Sequence, residues 1–168
     1  MRKLKSRTPA ASQIIKTEII CPNDTNPMGL LQGGRLIQWM DITAAACAQT
    51  HAGKICVTAS INKAIFCKPA RVGDVITIQA KVTRVFTTSL EIFVQSFARN
   101  VQDANDQLIS EAYFTFVSLN DKEPLIPIEP ITLSEIEQFN SALGRKMQVT
   151  KEISPLNESI NNTIEYMI

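Results

Sequence analysis

The chain has 168 residues, 45% of them hydrophobic and 20% charged, and 17 basic against 16 acidic side chains give a formal charge of +1. That length holds one domain, or one domain with a tail, and leaves no room for a second catalytic unit. The near-neutral balance lacks the basic footprint of a nucleic-acid binder, so a nucleic-acid partner is not expected.

Arg2, Lys3, Lys5 and Arg7 make residues 1–11 a basic N-terminal arm, but Pro9, Ser12 and Lys16 break the apolar run that a signal peptide needs. No stretch reaches the roughly 18 consecutive apolar residues of a membrane span. The expectation is a soluble, cytoplasmic protein without a membrane partner. Cys21, Cys47, Cys56 and Cys67 stand at unpaired spacings with no CxxC, and they read as reduced thiols.

The central unit, residues 12–120, opens with Ser12 to Cys21, where Ile14, Ile15, Ile19 and Ile20 lie among polar neighbours and predict a strand stopped at Cys21-Pro22-Asn23-Asp24. From Arg35 to His51 there is no proline or glycine, and Leu36, Met40, Ala44, Cys47 and Ala48 share one face at helical spacing. Gly53 is placed as a C-cap. The small run Ala44-Ala45-Ala46-Cys47-Ala48 lets another element approach the helix backbone, as a curved sheet wrapped around it requires.

Four strand-like runs follow, Lys54 to Phe66, Asp74 to Phe86, Ser89 to Val101 and Gln107 to Leu119. The second alternates Ile76, Ile78, Ala80 and Val82 against Thr77, Gln79, Lys81 and Thr83. Connections at Pro69 to Gly73 and at Gln102 to Asp106 are too short for crossover helices, which predicts antiparallel neighbours. One long helix on one antiparallel sheet is an α+β architecture, and it leaves a face or an edge for a partner subunit.

Residues 121–168 differ in composition. Pro124, Pro127 and Pro130 precede Thr132-Leu133-Ser134-Glu135, a capping box that opens a short helix to about Gly144. The last twenty or so residues are polar and patternless, and they are expected to be mobile or to lie along a neighbour.

The residues that carry chemistry lie around the helix start. Gly33 and Gly34 lack side chains and precede a helix whose first free N–H groups and dipole favour an oxyanion, which makes the Gly34 N–H or its neighbour a candidate donor. Asp41, about two turns further on, is too far along to cap, and a carboxylate among Leu36, Met40, Ile42 and Ala45 needs a task or a partner. It is the candidate general base, or alternatively a nucleophile. Asn26 cannot act as a base, but its amide can donate to a carbonyl oxygen or orient a water. Cys47 and His51 are four apart on the helix, but two ligands do not make a metal site, and they read as a buried thiol and a last-turn histidine favoured by the dipole. No metal motif, GxSxG elbow or nucleotide loop occurs.

The run from Asp24-Thr25-Asn26-Pro27-Met28-Gly29 through Gly33-Gly34-Arg35-Leu36 to Trp39-Met40-Asp41 resembles the signature of the hexameric, bacterial-type acyl-CoA thioesterases of the hotdog superfamily. The resemblance extends from Ser12 to about Leu119 and includes Phe66, Pro69 and Gly73-Asp74. It implies a hotdog fold and hydrolysis of acyl-CoA, with coenzyme A as part of the substrate and no separate cofactor. It further implies a homo-oligomer built as a trimer of dimers, with Asn26 and Asp41 meeting at a dimer interface. Thr58, Ser60, Thr88 and Ser89 match family segments near the ligand. The family's usual Gly-Arg before Thr-Ser is Phe86-Thr87 here, so Arg84, Arg99, Lys68 or Arg71 would have to serve the phosphates. Two other readings are a non-catalytic acyl-CoA-binding or sensing module and a hotdog dehydratase; the latter needs a histidine in the loop region, whereas His51 lies at the far end of the helix.

Overall fold

The structure is a computed structural model that describes residues 5–103, 105–119 and 124–165, with side chains through 149. Its elements are β1 (Ile14–Ile19), α1 (Gly33–Ala52), β2 (Cys56–Phe66), β3 (Val75–Val85), β4 (Ser89–Arg99), β5 (Gln107–Ser118) and α2 (Leu133–Glu165). All strand pairings are antiparallel, in the order β1-β3-β4-β5-β2.

The alternation read along β3 is realised. Ile76, Ile78, Ala80 and Val82 are buried on one face together with Leu90, Ile92 and Val94 of β4 and Ala112, Phe114 and Phe116 of β5. That face receives the predicted stripe of α1, and Met40, Ala44, Cys47 and Ala48 are fully buried against it. Alanine at two of these contact positions leaves room for the sheet to bend around the helix. Gly53 ends α1 at φ 64°, a left-handed conformation that glycine adopts without penalty, and its N–H reaches the Gln49 carbonyl at 2.8 Å.

One expectation of adjacency does not hold. β2 and β3 run antiparallel to each other but are not neighbours, because β5 and β4 lie between them. Three strand spacings are roughly 15 Å, and the connecting segment spans this easily in extended form at about 3.3 Å per residue. It is tied down along the way by Cys67 N–H to the Ile109 carbonyl, Leu31 N–H to the Ala70 carbonyl and Gly73 N–H to the Ile20 carbonyl.

The C-terminal reading also changes. The capping box forms as expected, with Glu135 N–H donating to Thr132 Oγ1 and the Glu135 carboxylate accepting from the N–H groups of Ile131 and Thr132. The helix then continues through Gly144 to Glu165 and replaces the patternless tail. Glycine inside a helix costs only about 1 kcal/mol, and α2 is anchored on either side of Gly144 by side chains of the outer sheet face. Arg84 donates to the Phe139 carbonyl, and Arg145 clasps Glu91. The basic arm and the proline-rich segment are packed as well: Arg7 donates to the carbonyls of Thr50 and His51 and bridges Ile128, and Leu125 and Ile128 are buried.

Candidate functional site

The loop before α1 is built around two side chains. Asp24 accepts from the Cys21 N–H and pairs with Arg35 of α1 at 2.9 Å, tying the loop to the helix. Asn26 folds the loop onto its own side chain: its Oδ1 accepts from the N–H groups of Met28 and Leu30 at 3.0 and 3.1 Å, and Gly29 turns at φ 71°. Two backbone donors on one amide oxygen settle its orientation, so the NH₂ end is the one left to donate outward.

Asn26 lines a cleft of about 350 Å³ with Leu31, Gly33, Leu36, Phe66 and Ile109. A Cβ on Gly33 would lie 3.3 Å from the Phe66 ring, whereas one on Gly34 would meet nothing within 4 Å. Gly33 therefore packs closely against Phe66 in the wall of this cleft, and Gly34 faces open space. Leu36 N–H reaches the Gln32 carbonyl at 3.1 Å as the first helical bond, which leaves the N–H groups of Gly33, Gly34 and Arg35 as the orphan donors of this terminus.

Asp41 is not the buried acid that its apolar neighbours suggested. It is half-buried, with Met40 turned into the core and Ile42 49% exposed beside it, because the helix presents Asp41 at the edge of the sheet. Thr58 Oγ1 of β2 donates to Asp41 Oδ1 at 2.7 Å. Asp41 and Asn26 of one chain do not share a pocket. Gly33 abuts Phe66 at one end of β2, Asp41 holds Thr58 near the other, and about 12 Å of helix rise separates them.

The expected coenzyme-binding residues divide between two ends of the sheet. Ser60 is half-buried and accepts from Asn62 Nδ2 at 3.4 Å. Thr88 is exposed, Ser89 is buried and receives Lys146 Nζ at 3.3 Å, and Arg84 is engaged with the carbonyl and ring of Phe139. Arg99 is exposed at the opposite end of β4, roughly 33 Å from Ser89. Arg99 therefore cannot share a ligand phosphate with Thr88 and Ser89 of its own chain. Lys68 lines the Asn26 cleft instead.

His51 and Cys47 have structural environments. His51 is fully buried, with Nε2 on the Ile126 carbonyl and Nδ1 on Ser12 Oγ, both at 2.9 Å. A carbonyl only accepts, so Nε2 carries the proton and Nδ1 accepts from the serine. Burial pushes the imidazole below its ordinary value, opposed by the Ile126 hydrogen bond, and the dipole's preference for a charged ring is overridden. Burial likewise pushes the Cys47 thiol up to about 12, which leaves it unreactive.

The model of the thioesterase superfamily matches residues 28–104, the stretch from the Asn26 loop to the connection after β4. An uncharacterized acyl-CoA thioester hydrolase of Bacillus subtilis, YkhA, is 32% identical over 137 residues, covering 80% of each chain. The chain belongs to the hotdog acyl-CoA thioesterase family. An acetyl-coenzyme A thioesterase of Mus musculus is 34% identical over 93% of this chain, but the match spans only 30% of that protein's length. Among solved structures, an apo hexameric acyl-CoA thioesterase superposes with a TM-score of 0.84 at 31% identity, covering 89% of this chain and 98% of that one. An acyl-CoA hydrolase of Staphylococcus aureus, solved with butyryl coenzyme A, coenzyme A and coenzyme A disulfide, gives 0.85 at 27% identity, covering 97% and 99%. Variants of that hydrolase carry alanine in place of an aspartate, a threonine or an asparagine.

Reasoning from sequence missed the bond between Thr58 and Asp41. It linked Thr58 to the ligand only, since nothing local ties a strand threonine to an aspartate on the preceding helix.

Proposed function

We propose that the protein hydrolyses acyl-CoA thioesters to a carboxylic acid and coenzyme A, in sites that two copies of the chain complete together. The observation that carries this is the placement of Asp41–Thr58 near one end of β2 and of the Asn26 cleft at the other. Among the described residues β2 is an edge strand, bonded only to β5, and Val57, Ile61, Ile65 and Phe66 along it are between 41% and 54% exposed. An apolar open edge of this kind calls for a partner. Two such edges related by a two-fold axis run in opposite directions, so the Asp41 end of one copy comes beside the Asn26 end of the other. The hexameric relative supports this assembly. The three positions replaced by alanine in the Staphylococcus aureus hydrolase are also spaced along its chain as Asn26, Asp41 and Thr58 are here.

In the proposed reaction Asp41, held by Thr58, takes a proton from water as the water adds to the thioester carbonyl. The Asn26 NH₂ and an orphan N–H at the start of α1, that of Gly34 or its neighbour, stabilise the oxyanion. Collapse breaks the carbon–sulfur bond, and the proton passes from Asp41 to the departing thiolate. The test mixes two inactive proteins, Asp41→Asn and Asn26→Ala, under conditions of proven subunit exchange and follows thiol release from a panel of acyl-CoAs. Activity should return, because a fraction of mixed sites has both groups intact. If exchanged oligomers stay inactive, the shared site is wrong; if the wild type binds acyl-CoA but releases no thiol, the chain is a binding module.

A further inference from the structure

Two hydroxyls on the helix-facing side of the sheet have no use in the fold. Ser96 of β4 and Ser110 of β5 stand directly opposite each other, and both are fully buried. Neither Oγ has a hydrogen-bond partner among the described residues. Their surroundings are apolar: Ile78 of β3 pairs with Ser96, and Val94, Ala98 and Ala112 are the adjoining buried positions along the two strands. An unpaired buried hydroxyl is destabilising, whereas alanine, which the same face carries at Ala98 and Ala112, avoids that cost. Side chains directly opposed in an antiparallel pair stand about 5 Å apart, so a single oxygen lying between these two reaches both.

The pair adjoins the cleft that Asn26 lines. Phe66 of β2 pairs directly with Ser110 and so shares its face, and the Phe66 ring is the surface that Gly33 meets. The register between β4 and β5 shifts between Ser96 and Phe97, passing over Ile109. Bulges of this kind re-aim side chains beside functional sites. Ile109 lines the cleft, its carbonyl accepts from the Cys67 N–H at 2.8 Å, and Ser110 is the next residue. The Phe66 ring thus stands between the cleft and the hydroxyls, and at 54% exposure it has room to turn aside. An unsubstituted acyl chain extended past it leaves both hydroxyls unpaired. A chain bearing an oxygen at that depth satisfies them, since an oxo group accepts from both serines and a hydroxyl accepts from one and donates to the other.

We propose that Ser96 and Ser110 bind an oxygen atom on the acyl chain of the substrate, several carbons from the thioester, so that oxygenated acyl-CoAs are favoured over unsubstituted ones. This deepens the proposed thioester hydrolysis and rests on it, with the thioester carbonyl at Asn26. The experiment measures thiol release from hexanoyl-CoA, 3-hydroxyhexanoyl-CoA and 3-, 4- and 5-oxohexanoyl-CoA by full-length wild type, Ser96→Ala, Ser110→Ala and the double variant, with thermal melting of each. In the wild type, kcat/KM for at least one oxygenated substrate should exceed that for hexanoyl-CoA by about tenfold, because a site with unpaired polar groups discriminates against the chain that leaves them so. That ratio should fall about three- to tenfold in each single variant and disappear in the double one, while melting temperatures hold or rise. Equal kcat/KM for all five substrates in the wild type overturns the proposal without any variant. A ratio that survives in the double variant also overturns it, and a lowered melting temperature with that ratio unchanged would show that the hydroxyls hold only a structural water. If the wild type releases thiol from none of the five, the hydrolase reading has failed, and calorimetric titration with the same compounds tests the pair by itself. Tighter binding of an oxygenated compound that is lost in the double variant supports the proposal, and equal or absent binding overturns it.

Discussion

Asp41 depends on one neighbour, and the two side chains separate cleanly by substitution. Asp41→Asn keeps shape and hydrogen bonding at a half-buried position, so the protein should fold normally while kcat falls by about 10² to 10⁴. Thr58→Ala removes a single bond to an ionised group, worth about 1.5–3 kcal/mol, and should lower kcat by roughly 10- to 100-fold. Steady-state thiol release alongside thermal melting checks both; turnover at the wild-type rate by folded Asp41→Asn would remove it as the base. His51 governs stability instead. Its folded value lies below its unfolded one near 6.5, so the unfolded chain binds a proton in the window beneath that pH which the folded chain does not. Stability should then fall as pH drops through about 6.5 and level off below the folded value, by at most about 1.4 kcal/mol per pH unit. Urea melts at several pH values on wild type and His51→Gln measure this, and equal slopes in the two proteins would contradict it.

The elements show where local pattern suffices. The period-two run of β3, the apolar stripe of α1, its glycine C-cap and the capping box of α2 were all readable, because each is set by neighbours within one or two turns of chain. The far end of α2 was not. Its continuation past Gly144 is anchored by Arg145, whose guanidinium lies 3.9 Å from the Tyr113 ring centre and grips Glu91, a side chain only 3% exposed. Arg145→Ala would leave that carboxylate buried and uncompensated, and should destabilise the protein by about 3–5 kcal/mol. Chemical denaturation tests this, with the double variant Arg145→Ala, Glu91→Ala expected to be more stable than the single one. A loss below 1 kcal/mol in Arg145→Ala would show that the pair does not secure the helix.

At the scale of the whole molecule the open β2 edge dominates. Ile61 sits mid-strand at 41% exposure, so Ile61→Lys places one new charge on each copy of the edge where two copies are proposed to meet. The variant should fold as the wild type does, lose its oligomer and lose thiol release together, since each subunit alone separates Asp41 from Asn26. Light scattering after size-exclusion chromatography, read beside the activity assay, decides it. Full activity in a monomeric variant would contradict a site shared between copies.

The amino-acid sequence by itself determined the α+β class, the identity of the helix face and the candidate groups Asn26, Gly34 and Asp41, because hydrophobic periodicity and glycine placement are encoded over short spans of chain. Only the tertiary structure decided that β2 lies beside β5 and not β3, that Thr58 holds Asp41, and that Asp41 and Asn26 stand at opposite ends of one edge. It also separated Arg99 from Thr88 and Ser89 and brought Lys146 to the turn between β3 and β4. These are contacts between segments far apart in sequence, set by strand order and by packing against the sheet, and no local pattern of residues records them.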